Sequence, residues 1–244
     1  MKITVLGSSG PYPDAGGNCS GYLLEGSETK VMLDCGNGTF SVLQNYTDFF
    51  ELDAVILSHL HMDHIADCFV VRYAFETAQV LGKRKDPLKI YAPAKPFELY
   101  NMLKYKDVVE LFPIDHRLQL SIKEFELSFL PTVHSLYCCA VKVNQGNSKM
   151  VYSADTEYFD GLADFVRGAN LFLCEANYTS EDLSLGRKNH LASFQSAQIA
   201  KKAEVDRLLL THLHPKNARS VVLSEAVEEF AETELAEEGL IFKV

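Results

Sequence analysis

Apolar residues recur along this chain in two rhythms, and each predicts its own kind of element. Nearly unbroken apolar runs at residues 3–6, 21–24, 31–33 and 54–57 predict strands covered on both faces, since a strand with one wet face would alternate. Residues 36–46 and 65–80 instead space their apolar positions as an amphipathic helix does. A strand at 88–92 and a helix at 97–105 follow, and then strands return at 109–112, 118–120, 125–131, 138–143 and 150–153. Asn144-Gln145-Gly146-Asn147 is a hairpin turn between the last two. The final third alternates helices at 160–167, 192–203 and 220–237 with strands at 171–175, 207–211 and 240–244.

Strands in both halves with helices interleaved predict an α/β (α+β) chain, two sheets held between helical layers as a four-layer αββα sandwich. The 244 residues are 47% hydrophobic, enough for one sizeable core, and no linker, repeat or low-complexity segment divides them. Residues 1–244 are therefore expected to form a single domain. The acidic run at 225–238 reads as the solvated face of the last helix. A net charge of -10 argues against broad binding to phosphate backbones, leaving only local basic patches at Lys83-Arg84-Lys85 and Lys201-Lys202. No apolar stretch approaches membrane-spanning length and the N-terminus lacks a secretory pattern, so no membrane partner is expected. The six cysteines (19, 35, 68, 138, 139 and 174) contain no C-x-x-C pair and sit in or beside apolar runs. Buried free thiols in a reducing compartment account for them, which predicts a cytoplasmic protein.

The chemistry concentrates in Ser58-His59-Leu60-His61-Met62-Asp63-His64, directly after the apolar run 53–57. Neutral imidazoles with a carboxylate suit zinc and its first-row relatives manganese and iron, whereas calcium wants an all-oxygen shell. The plain alternative is a histidine-rich turn, but this stretch holds three of the chain's eight histidines. Further candidates close later apolar runs: His134 after 129–133, Asp155 after 151–154, and His212 after 208–211. Singly, each has a bland reading, a satisfied core histidine or a helix N-cap. Their recurrence at strand ends, where side chains have little freedom, favours a rigid metal site.

These positions resemble the metallo-β-lactamase fold superfamily over nearly the whole chain, with H-x-H-x-D-H present as His59-Leu60-His61-Met62-Asp63-His64. The resemblance implies two zinc ions, one bound by His59, His61 and His134, the other by Asp63, His64 and His212, with Asp155 bridging. Within the superfamily the chain is similar to the ribonuclease Z-like branch. The residues that carry this are Gly7-Ser8-Ser9-Gly10, Asn18-Cys19-Ser20, Leu33-Asp34-Cys35-Gly36, Asn189-His190-Leu191-Ala192 and Leu210-Thr211-His212. In that branch a Glu and a His near the metals assist phosphodiester cleavage, and Glu175 and His190 occupy the matching places.

Two departures stand out. The branch's His-Glu-Ala-Thr pattern reads Cys174-Glu175-Ala176-Asn177 here, and the long tRNA-gripping arm between the motifs of His134 and Asp155 is replaced by two strands and a turn. The second departure argues against tRNA 3′ processing. The expected function is a dinuclear zinc hydrolase, a phosphodiesterase acting on a cyclic nucleotide, short RNA or other small phosphodiester. A zinc-bridging hydroxide would be its nucleophile, oriented by Asp63. His190 would donate a proton to the leaving oxygen, its alternative being a helix-start residue without catalytic part. Glu175 either fixes a histidine tautomer or is structural. The same metal core would serve an ester, thioester or lactone hydrolase, and a non-catalytic zinc-containing binding protein is the alternative of another class. The resemblance also allows a homodimer. Residues 67–106 are expected to shape the substrate pocket, with Tyr73, Phe75, Tyr91 and Tyr100 as stacking candidates or core. His214 is expected behind the ligands or exposed, and His116 in a surface turn.

Overall fold

Two mixed seven-stranded sheets pack face to face in the computed structural model, which describes residues 1–244. The first sheet contains β1 (Lys2–Gly7), β2 (Gly21–Glu25), β3 (Lys30–Cys35), β4 (Ala54–Ile56), β5 (Leu88–Pro93) and β6 (Val109–Ile114). The second contains β7 (Gln119–Ile122), β8 (Phe125–Pro131), β9 (Cys139–Gln145), β10 (Ser148–Tyr152), β11 (Leu171–Glu175), β12 (Leu208–Thr211) and β13 (Thr233–Leu235). The last strand, β14 (Ile241–Lys243), returns to the first sheet, giving the orders β14-β1-β2-β3-β4-β5-β6 and β13-β12-β11-β10-β9-β8-β7. In the first sheet β14 to β3 pair antiparallel and β3 to β6 parallel. The second mirrors this, antiparallel from β7 to β10 and parallel from β10 to β13.

The hydrophobic pattern explains the layers. Between the sheets lies a core that includes Ile3, Val5, Tyr22, Leu24, Phe125, Leu127, Phe129, Met150 and Leu173. Outside the first sheet, α1 (Thr39–Leu43), α2 (Met62–Ile65), α3 (Cys68–Val80) and α4 (Phe97–Met102) follow in chain order, and Phe40, Leu43, Ile65, Val71 and Phe75 pack on Leu23, Met32 and Val55. Outside the second, α5 (Asp160–Val166), α6 (Ser180–Ser184), α7 (Ser193–Lys202) and α8 (Arg219–Val227) follow, with Leu162, Ile199 and Val222 packing on Phe172 and Leu210. The central strands are apolar throughout because both faces are covered. β8 alternates instead, Phe125 and Leu127 in and Glu126 out, because it lies near the sheet's end. The edge strand β6 carries Pro113, where a missing N–H leaves no gap in a ladder.

The αββα sandwich expected from the pattern is the observed fold, with local corrections. The helix expected at 65–80 is α3, which begins at Cys68 after the separate short turn of α2, and the one expected at 36–46 shrinks to α1. The turn of the β9–β10 hairpin is Gly146-Asn147, with Gly146 at φ 57°. The largest error is at 220–237: α8 ends at Val227, and Thr233–Leu235 is β13, parallel to β12. Helix-favouring Glu, Leu and Ala there were overridden by backbone partners, Leu208 N–H donating to Glu232 O and Ala236 N–H to Leu210 O. The acidic run is thus a helix end, a strand and their turns rather than one helical face. The short α6, not anticipated, is started by Thr179 and Asp182 in a reciprocal capping box. Arg84 of the suggested basic patch is committed internally, donating to Phe50 O and Leu52 O.

Candidate metal centre

All seven expected ligands meet at the C-terminal ends of the central strands, the edge where α/β sheets habitually hold their ligands. His59 leaves β4, His61 caps α2, and Asp63 and His64 lie in α2. His134 follows β8, Asp155 follows β10, and His212 follows β12. Three non-glycine residues at these strand ends, Asp34, Ala154 and His212, take left-handed backbone at φ 53°, 52° and 52°. Such turns cost about 1–2 kcal/mol each and recur where a chain must aim a side chain into a site.

The atoms form two groups. His59 Nε2, His61 Nδ1 and His134 Nε2 converge, with successive separations of 2.9 and 3.1 Å. The His59 and His134 nitrogens would each carry a lone pair, because the far nitrogen of those two rings is occupied. His59 Nδ1 donates to Ser58 Oγ (3.0 Å), and His134 Nδ1 donates to Asn189 O (2.9 Å). Lone pairs facing one point repel, and a cation relieves that; tetrahedral zinc would place such nitrogens about 3.3 Å apart. The second group is Asp63, His64 and His212, with Asp63 Oδ2 3.1 Å from His212 Nε2 and 3.5 Å from His64 Nε2. Asp155 lies between them: Oδ2 is 3.6 and 3.7 Å from His59 and His134 Nε2, and Oδ1 is 3.5 Å from His64 Nε2. His64 Nε2 and Asp155 Oδ1 are buried and have no hydrogen-bond partner. Orphaned polar atoms are costly, so a pair aimed into one gap fits a bound cation. The residues present therefore fit a divalent metal.

Electrostatics divides the groups. Burial lowers His59, His61 and His134 below the usual histidine range, which keeps them neutral and ready to ligate. Burial also acts to lower His64, but Asp155, Asp63 and Asp34 outweigh it and hold this histidine well above that range. Metal binding to the second group would displace that proton. Burial acts to raise Asp155, and the surrounding histidines hold it well below the carboxylate range instead.

Asp34 is the residue to which sequence reasoning assigned no role. Its carboxylate accepts from Ser58 N–H (2.7 Å), Ser58 Oγ (2.8 Å), His64 Nδ1 (2.7 Å) and Tyr152 OH (2.8 Å). It therefore fixes the tautomer of His64 and, through Ser58, that of His59. The available signal was its place at the end of an apolar strand, the same pattern that marked Asp155 and His212. Asn177, at a departure from the branch pattern, donates from its amide to Gly10 O (2.8 Å) and His212 O (3.0 Å) and so braces the His212 loop.

His190 and Glu175 come together beside the second group. His190 Nδ1 is 3.1 and 3.2 Å from the two oxygens of Glu175, and its ring stacks on His212 at 5.2 Å. Glu175 is wholly buried and also accepts from Thr156 N–H (2.6 Å). Burial acts to lower His190, yet the Glu175 carboxylate wins and raises it to about 9. Of the two readings left open for Glu175, fixing a histidine is the one the contacts match.

The centre floors a cavity of about 290 Å³ lined by Pro11, Met62, Ser135, Tyr178, Lys188 and Asn189 together with His190 and the ligands other than the wholly buried His59 and His64. No residue of 67–106 lines it, contrary to expectation, because α3 and α4 pack on the outer face of the first sheet. Phe75 is core, Tyr91 stacks on Phe112 at 4.9 Å, Tyr73 meets Tyr105 edge-on, and Tyr100 lines a separate groove. His214 is half-buried against Tyr12 outside both ligand groups, and His116 is in an exposed turn.

A histidine–aspartate cluster at the strand ends of an αββα sandwich defines a class, the metallo-hydrolases of the metallo-β-lactamase fold. Residues 29–213 match the family model described as the β-lactamase superfamily domain, and the chain belongs to that superfamily. Among individual proteins it is similar to the probable metallo-hydrolase YhfI of Bacillus subtilis (strain 168), 33% identical over 244 residues and 100% of both chains. The crystal structure of YhfI matches with a TM-score of 0.94, covering 99% of this chain and 98% of that one. Ribonuclease Z of Clostridium acetobutylicum is 25% identical over 277 residues, 88% of each chain. The short form of human tRNase Z, 19% identical, shares the fold at a TM-score of 0.77 over 100% of this chain and 99% of its own. The chain is thus a metallo-hydrolase with ribonuclease Z-like relatives, and no helix is long and apolar enough to cross a membrane.

Proposed function

We propose that residues 1–244 act as one dinuclear zinc-dependent phosphodiesterase domain on small phosphodiesters. The observation that carries the reading is the split of seven ligands into two groups joined by Asp155, with a Glu175-backed His190 at their side. His59, His61 and His134 would hold one ion and Asp63, His64 and His212 the other, with Asp155 between. Divalent ions held there would supply a hydroxide nucleophile at neutral pH and positive charge for the phosphoryl oxygens; manganese or iron(II) would fit the same donors as zinc. Asp63 lines the cavity, and its carboxylate would orient the nucleophile. His190, held cationic by Glu175, gives its Nε2 proton to the leaving oxygen, a role worth about 10²–10⁴ in rate.

Size and charge narrow the substrate. The interval between His134 and Asp155 holds only β9, β10 and a two-residue turn, so no arm grips tRNA. A cavity of about 290 Å³ is at the small end of ligand pockets, the size of a cyclic nucleotide or of one terminal nucleotide of a short RNA. The six cysteines are all buried and unpaired, which supports a cytoplasmic setting. Homodimerisation, allowed by the branch resemblance, is checked by sedimentation. The deciding assay is hydrolysis of bis(p-nitrophenyl) phosphate by the zinc-loaded protein beside Asp63→Ala. Turnover reduced at least about 100-fold in the variant is expected. Hydrolysis of p-nitrophenyl acetate with none of the diester would replace this reading with a carboxylic ester, thioester or lactone hydrolase.

A further inference from the structure

Besides His190, one cationic side chain lines the cavity over the ligand groups, and neither those groups nor the Glu175–His190 pair uses it. Lys188 is exposed at the rim, and its ammonium has no carboxylate within ion-pairing reach and no hydrogen bond within the chain. The neighbouring Arg187, by contrast, is committed to Asp182 at 3.0 Å. An unpaired cation at the mouth of a cavity in a chain of net charge -10 contrasts with the general acidity of the protein.

The backbone that presents it is fixed on both sides. Tyr178 OH donates to Lys188 O at 2.9 Å, and Asn189 N–H donates to Glu157 Oε1 at 2.9 Å. Asn189 O accepts from His134 at 2.9 Å, with Asn189 itself at φ 74°, a left-handed conformation that asparagine tolerates better than most residues. The base of the side chain is therefore tied to a residue of the first ligand group, while its flexible four-carbon stem is free to move over the cavity.

We propose that Lys188 is a specificity residue that binds a second phosphate of the substrate, next to the one that is cleaved. The inference rests on the phosphodiesterase reading, in which the scissile phosphate belongs to the two ligand groups and leaves Lys188 free for a further anion. It makes linear nucleotides and short oligonucleotides with two or more phosphates the preferred substrates, ahead of cyclic mononucleotides with one.

The test compares the zinc-loaded wild type with Lys188→Ala and Lys188→Arg, since an exposed lysine can be replaced without threatening the fold. Calorimetry measures adenosine 3′,5′-bisphosphate against adenosine 5′-monophosphate, and kinetics measure the dinucleotide ApA with and without a terminal phosphate. The wild type should bind the bisphosphate about fivefold more tightly, the size of one partly solvated ion pair. Lys188→Ala should abolish that preference and Lys188→Arg retain it. In turnover, Lys188→Ala should raise KM for the phosphorylated dinucleotide about fivefold, leave kcat unchanged, and leave unphosphorylated ApA unaffected. A wild type without the bisphosphate preference, or a preference that survives in Lys188→Ala, overturns the proposal. Absence of cleavage in every form would sink the phosphodiesterase reading alone, because the binding comparison still decides on Lys188.

Discussion

Gly10 and His212 share so little space that a methyl group decides between them. A Cβ at Gly10 would land within the van der Waals radius of the His212 ring, which is wholly buried and braced by the Asn177 amide on the His212 carbonyl. Gly10→Ala is therefore expected to displace His212 from the second ligand group at a cost of about 1–3 kcal/mol. On the two-ion reading, elemental analysis should find about one zinc fewer per chain, with the group of His59, His61 and His134 still loaded. An unchanged zinc content would show that the His212 ring moves aside and still binds. Nothing in the one-dimensional string marked Gly10 for this role, although the surrounding Gly7-Ser8-Ser9-Gly10 belonged to the branch resemblance. The ligands themselves were legible because each follows an apolar strand and five of the seven are histidines. Asn189 was not, because it acts through a backbone carbonyl that any residue type possesses.

Among the elements, the turn joining β2 to β3 is pinned to the turn joining β7 to β8 by one side chain. Glu124 accepts from Ser27 Oγ (3.1 Å), Glu28 N–H (2.9 Å) and the Thr29 hydroxyl. What burial it has acts to raise its pKa, but these donors outweigh that and hold the carboxyl at about 2. Its folded value lies below the ordinary glutamate value of 4.5, so its contribution is full above about pH 4.5 and lost as pH falls towards about 2. Glu124→Gln should remove that part of the acid sensitivity. The Tm gap between wild type and variant should be about 2 °C near pH 6 and should close as the pH falls through this window, a size discounted for solvent screening. A gap constant with pH would mean that shape and not charge secures the turns. At this same scale the sequence misled most: the run at 232–236 favours a helix locally, and only the open edge of β12 makes it a strand.

Across the whole molecule, the candidate centre draws on both halves of the sandwich. His59, His61, Asp63 and His64 come from the end of the first sheet's β4, and His134, Asp155 and His212 from β8, β10 and β12 of the second. Metal bound there would cross-link the two sheets and stabilise the folded state by mass action. Zinc at about a thousandfold excess over its Kd adds about 4 kcal/mol, so chelation should lower Tm by roughly 10 °C in a calorimetric scan. A Tm indifferent to chelation would argue that the sheets hold the ligand geometry without help. By itself the sequence determined the strand and helix alternation, the αββα layering and the candidate ligands, because each is written in local hydrophobic period and residue type. The tertiary structure alone decided that Asp34 and Asn189 set histidine tautomers, that Glu175 faces His190, and that the cavity wall excludes residues 67–106. Those are contacts between segments far apart in the chain, and the sequence periodicity that reveals an element carries no record of what lies across from it.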